Sequence, residues 1–165
     1  MNCWPKSGPM AWGFIDMGFY LHECDKDALP AGSGIYRIRH RPNRRFKPVG
    51  RAARVDRKGI IYIGESSDLR DRIWTFRKVV FNDYVVTEGH VAANRYVRIR
   101  PLHRAFPPSS LWFEIEEIGD SEEAERAAQL DYINTFGELP PLNYGGPYRS
   151  DDEEMGIPVQ FPLPG

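Results

Sequence analysis

The run GIIYIG at 59–64 passes into SSDLRDRIWTFRKVVF at 66–81 across a single residue, and the hydrophobic period changes at that junction. The first segment is an unbroken series of branched and aromatic residues closed by a glycine, the composition of a short strand. The second places Leu69, Ile73, Phe76 and Val80 at three- and four-residue steps, with Ser66, Ser67 or Asp68 available to cap a helix. Arg72 therefore stands one turn into a helix, next to the end of the strand that feeds it.

The same reading extends along the chain. SGIYRIRH comes after Pro30-Ala31-Gly32 and reads as a strand, expected to pair antiparallel with GIIYIG. Between them, RPNRRFKPVGRAARVDRKG carries prolines and glycines without a sustained period, and predicts a long loop or an irregular hairpin end. HVAANRYVRI is a weak helix, and Pro101, Pro107 and Pro108 break the chain beyond it. SLWFEIEEI alternates Leu111, Phe113 and Ile115 against Trp112, Glu114 and Glu116, as a half-buried strand does. DSEEAERAAQLDYINTFG is the strongest helix: Asp120 or Ser121 as cap, acids in the first turn, an apolar face of Ala127, Leu130, Ile133 and Phe136, and Gly137 as the stop. The expected fold is α+β, a small antiparallel three-stranded sheet with flanking helices. Residues 1–30 read as an N-terminal extension, 31–145 as the folded domain with a basic loop at 37–58, and 146–165 as an acidic, proline-containing tail with a strand-like flap at IPVQF.

Charge is distributed unevenly although the net value is only -1. Residues 1–113 hold 20 Lys/Arg against 10 Asp/Glu, and residues 114–165 hold 2 against 13. Arg37 to Lys58 alone contains ten basic residues and one acid, Asp56. Such a cluster repels itself and is best tolerated beside a polyanion. The N-terminal apolar residues are interrupted by Pro5, Gly8, Pro9 and Asp16, which argues against a membrane span. Cys3 and Cys24 match no zinc spacing and form no disulfide framework, so a reducing, cytoplasmic location is the simpler expectation.

GIY at 34–36, YIG at 62–64, the adjoining SSDLRDR and the later PPLN ending at Asn143 are together similar to the GIY-YIG nuclease family, over about Gly34 to Asn143. The resemblance implies a GIY-YIG nuclease-like fold and an endonuclease that hydrolyses DNA phosphodiester bonds with magnesium or manganese. It carries Tyr36 over as candidate general base, Tyr62 as a residue that orients water or bonds phosphate, and Arg72 as the cation that stabilises the transition state. His90 resembles a histidine that some members place after the arginine-bearing helix, and Asn143 falls on the family's asparagine. The chemistry suits the residues: a guanidinium keeps its charge and forks onto phosphate, while a phenol can take a proton from water only if its pKa is pulled down.

Three departures stand against the pattern. The position of the family's metal-binding glutamate holds Gln129, a poorer ligand for a hard divalent ion, with Glu125 one turn earlier as a substitute. Glu65 comes directly after YIG, where it would repel phosphate unless Arg70 or Arg72 pairs with it. The connection between the motif strands is much longer than is common, and its Arg41, Arg44, Arg45, Lys47, Arg51, Arg54, Arg57 and Lys58 are expected to project beside the active face and clamp the DNA backbone without reading sequence. Two other functions fit the same residues: a DNA-binding protein impaired in cleavage by the glutamine, and a module whose basic loop meets an acidic partner protein.

Overall fold

A computed structural model describes residues 18–82 and 90–145. Among these, six strands and four helices run in the order β1 (Gly18–Tyr20), β2 (Gly34–His40), β3 (Val49–Gly50), β4 (Val55–Asp56), β5 (Ile60–Ser66), α1 (Leu69–Asn82), α2 (Val91–Arg98), α3 (Arg100–Ala105), β6 (Leu111–Glu117) and α4 (Ser121–Phe136). The fold is α+β with antiparallel sheets. Its main sheet has the order β1-β6-β2-β5, and β3 and β4 form a separate hairpin. The expected three strands are thus joined by a fourth, β1, from the N-terminal segment. Phe19 stacks on Phe113 at 5.8 Å, and Leu21, Cys24 and Leu29 are buried just after it. The flap expected at IPVQF lies outside the described residues.

Strand alternation gives the sheet two different faces. Ile38 pairs with both Tyr62 and Phe113, and Tyr36 pairs with Gly64 and Ile115, so these residues share one face. Leu69, Ile73, Phe76, Val79 and Val80 of α1 and Ala92, Ala93 and Tyr96 of α2 are buried in the core with them. Arg37 pairs with Ile63 and Glu114, which puts all three on the opposite face. That face is mixed: buried Ile35 and Ile63 lie beside the Arg37–Glu116 (3.4 Å) and Arg39–Glu114 ion pairs.

Helix boundaries reflect local chemistry. Asp68 caps α1 by accepting from Asp71 N at 3.0 Å, and Asp120 caps α4 by accepting from Glu123 N at 3.1 Å. Gly137 ends α4 in the left-handed region, φ 80°. Pro101 starts α3 rather than breaking the chain, because a first-turn residue needs no N–H and proline's φ is already helical. The buried face of α4 differs from the apolar stripe read in the sequence. Ala127 is exposed, whereas Gln129, Tyr132 and Ile133 are buried. Tyr132 Oη reaches the Asp56 carboxylate at 3.1 Å and Gln129 Nε2 reaches Glu125 at 3.0 Å, so these polar residues are buried beside partners although they lie outside the expected apolar stripe.

Candidate functional site

Antiparallel register between β2 and β5 sets Tyr36 opposite Gly64 and leaves Tyr62 diagonal to it, with ring centroids 5.7 Å apart. Gly64 makes this possible. A Cβ there would stand 2.4 Å from the Tyr62 ring and 2.9 Å from Tyr36 Oη. The chain leaves β5 through Ser66 to Asp68 and enters α1, so Arg72 comes back to the same place, where its guanidinium is in polar contact with both phenols. Arg72 Nε is buried with no hydrogen-bond partner among the described residues. His90, at the N-terminal boundary of α2, completes the group: Nε2 faces the Tyr36 hydroxyl, and the ring meets Phe76 edge-on at 4.9 Å.

Burial dominates the electrostatics of this cluster. Tyr36 is 0% exposed, and burial, reinforced by Tyr62, holds its pKa well above the ordinary value of 10.0 against the opposing pull of Arg72. Tyr62 is raised as well, again by burial and again against Arg72. Burial and the Arg72 charge push His90 well below 6.5. Burial works to lower Arg72 too, but the phenols outweigh it and the guanidinium stays charged. The lowered phenol pKa that a Tyr36 base requires is therefore reversed: at neutral pH both phenols keep their protons. The neutral imidazole of His90 shares a hydrogen bond with the Tyr36 hydroxyl, its direction set by the tautomer.

A second group of side chains gathers around Glu125 on α4. Its carboxyl is pushed up from 4.5 to about 7, first by burial and then by the charge of Glu65, with Arg72 opposing both. Glu65 accepts a hydrogen bond from Ser121 Oγ at 2.8 Å. Arg70 turns away and donates to Leu29 O at 2.9 Å, so it is not the partner expected for Glu65. Gln129, only 7% exposed, directs its NH2 group to Glu125 and toward Ile63 O. Among the described residues no three His, Cys, Asp or Glu side chains come together as a metal-binding group. A hard divalent cation would find its charge in Glu125 and Glu65, whose mutual repulsion a cation relieves, rather than in the Gln129 amide.

Asn143 is engaged by the main chain. Its Oδ1 accepts from Ile63 N at 2.9 Å and its Nδ2 donates to Ile63 O at 2.7 Å, while Leu142 N donates to Ile61 O at 2.9 Å. The asparagine fixes the segment after α4 along β5, beside Tyr62, with one Nδ2 hydrogen and its Oδ1 engaged by the main chain.

The basic interval is more folded, and lies elsewhere, than its sequence implies. A short turn at Pro42–Arg44 and the β3–β4 hairpin take up most of it. Asp56, its single acid, is fully buried and accepts from Lys58 N, Gly59 N and Ile60 N at 2.8, 3.2 and 2.8 Å. Arg41 lies over the Trp112 ring at 4.0 Å, and Arg51 binds Leu139 O and pairs with Glu138 at 3.1 Å. Arg44, Arg45, Lys47, Arg54, Arg57 and Lys58 remain largely open to solvent. Arg54, Arg57 and Lys58 line an open cavity of about 660 Å³ that also contains Arg37 and Ile63, and so belongs to the sheet face opposite the phenols. Of the loop residues expected beside Tyr36, Arg54, Arg57 and Lys58 thus line the other side of the sheet.

Sequence reasoning overlooked a second basic surface. From His90 to Phe113 the chain has Arg95, Arg98, Arg100 and Arg104 and not one Asp or Glu, a signal masked by the denser cluster upstream. No family model, curated protein or solved structure matches this chain.

Proposed function

We propose that the chain is a DNA endonuclease that hydrolyses phosphodiester bonds with a divalent cation. The observation that carries this reading is the convergence of Tyr36 and Tyr62, contributed by β2 and β5, on the Arg72 guanidinium, whose charge also reaches Glu125 of α4. A phosphate drawn to Arg72 would compete with the phenols for its donors, and the fixed guanidinium would stabilise charge that grows on the phosphoryl oxygens. Tyr62 orients the attacking water or bonds a phosphate oxygen. Tyr36 would act on that water as general base once a bound cation draws its phenol pKa down and its own proton has left to solvent, because burial and Arg72 disfavour a charged His90 as the proton's destination. Glu125 and Glu65 would hold magnesium or manganese, which when bound supplies positive charge at the scissile phosphate. Solvent-facing Arg44, Arg45, Lys47, Arg54, Arg57 and Lys58 add sequence-independent affinity.

Gln129 favours a second reading, a DNA-binding protein with impaired cleavage, because a neutral amide stands hydrogen-bonded to Glu125. One assay separates the two. Supercoiled plasmid is incubated in magnesium or manganese, with and without chelator, with the natural protein, Arg72→Ala and Gln129→Glu. Nicking by the natural protein that chelator abolishes, and that Arg72→Ala lowers by about 100-fold or more while binding persists, supports the nuclease. Cutting by Gln129→Glu alone supports the impaired binder. Cleavage that survives both chelator and Arg72→Ala refutes the mechanism.

A further inference from the structure

Tyr144 is the most exposed large hydrophobic residue described, at 81%. It comes directly after Asn143, whose two bonds to Ile63 hold this stretch beside Tyr62. The guanidinium of Arg95 lies 5.5 Å from the centre of its ring. Arg95 is one turn into α2, the helix that begins at His90, so both ends of this contact are tied to the Tyr36 cluster: one through the β5 main chain, the other through the imidazole. Among the described residues Arg95 makes no ion pair. Beyond it Arg98, Arg100 and Arg104 face solvent in a stretch without acids.

An exposed aromatic ring braced by an arginine is costly as surface and well suited to one ligand. Every nucleobase offers a flat π-face, and an adjacent guanidinium serves both the stack and the phosphate next to it. Bases inside a duplex are already stacked on their neighbours and cannot use such a ring. We propose that Tyr144 and Arg95 form a stacking platform for an unpaired nucleobase, so that the preferred substrate is DNA with a single-stranded or extruded nucleotide next to Arg72. This rests on the nucleic-acid reading above and narrows it to a substrate class. It also gives the α2–α3 arginines a role: α2, which carries Arg95 and Arg98, packs on the phenol side of the sheet, and these arginines would track the single-stranded backbone.

The test compares binding of a fluorescein-labelled thymidine 20-mer and a blunt duplex of equal length by anisotropy, at fixed salt and in chelator, for the natural protein, Tyr144→Ala and Tyr144→Trp. Tyr144→Ala should weaken single-strand binding roughly tenfold and leave duplex binding within about twofold, with an unchanged melting temperature. Tyr144→Trp should restore the single-strand affinity, an outcome that mere loss of surface area would not give. Equal effects of Tyr144→Ala on both substrates, or none on either, overturn the stacking platform while leaving the DNA reading intact. A natural protein that binds neither substrate overturns both.

Discussion

Glu125 gives the site a stability signature that can be measured without any substrate. Its carboxyl holds a proton up to about pH 7 in the folded protein, because burial and the neighbouring Glu65 disfavour the charge, whereas the ordinary value is 4.5. The folded state therefore binds the proton more tightly than the unfolded chain does. The corresponding stability is complete below about pH 4.5 and is lost as pH rises through about 7. That interval, at about 1.4 kcal/mol per pH unit, corresponds to at most about 3.5 kcal/mol. The carboxyl is only partly buried, so solvent screening brings the expected effect to about 1–2 kcal/mol. Glu125→Gln removes the titration and keeps the shape. Urea unfolding of the two proteins from pH 4.5 to 8 should show the natural protein losing about 1–2 kcal/mol relative to the variant, most of it between pH 5 and 7. Magnesium added at pH 8 should stabilise the natural protein more than Glu125→Gln. A stability difference that stays flat with pH would mean that Glu125 is solvated and that the Glu125–Glu65 pair is no strained carboxylate site.

Two further outcomes test the basic interval. Asp56→Ala removes the carboxylate acceptor of Lys58 N, Gly59 N, Ile60 N and the Tyr132 hydroxyl, and should cost about 3 kcal/mol in urea unfolding; a loss below about 0.5 kcal/mol would show the hairpin to be held otherwise. Alanine at Arg44, Arg45, Lys47 and Arg54 should leave the melting temperature in place and lower the salt slope of DNA binding by nearly one for each phosphate contact removed, whereas Arg51→Ala, which breaks the contacts with Leu139 and Glu138, should lower the melting temperature and leave the salt slope unchanged.

How legible each part of this chain is depends on the range of the interactions involved. The stripe of Leu69, Ile73, Phe76 and Val80 and the capping of α4 by Asp120 and Gly137 are local, and all appear in the fold where their spacing put them. The extra strand at Gly18–Tyr20 was not read from the sequence and pairs along the edge that β6 offers it. Rotation of α4 could not be read because Gln129 and Tyr132 look like surface residues until Asp56 and Glu125 supply their partners. The meeting of Tyr36, Tyr62 and Arg72 was legible from two strands feeding a helix. Their burial was not, since it depends on α2 bringing His90 over Tyr36 from a distant part of the chain. Charge counting likewise overstated the loop, whose Arg41 and Arg51 are drawn to Trp112 and Glu138.

The short segment after α4 has a consequence for how copies of this protein meet. β5 is the outermost strand on its side of the sheet, and bare N–H and C=O groups at Ile61 and Ile63 would template the addition of a strand from another molecule. Leu142 and the Asn143 amide occupy Ile61 O and both main-chain groups of Ile63 in the manner of a counterfeit strand. Asn143 thus protects the sheet from edge-to-edge aggregation, whatever it contributes to the chemistry beside it.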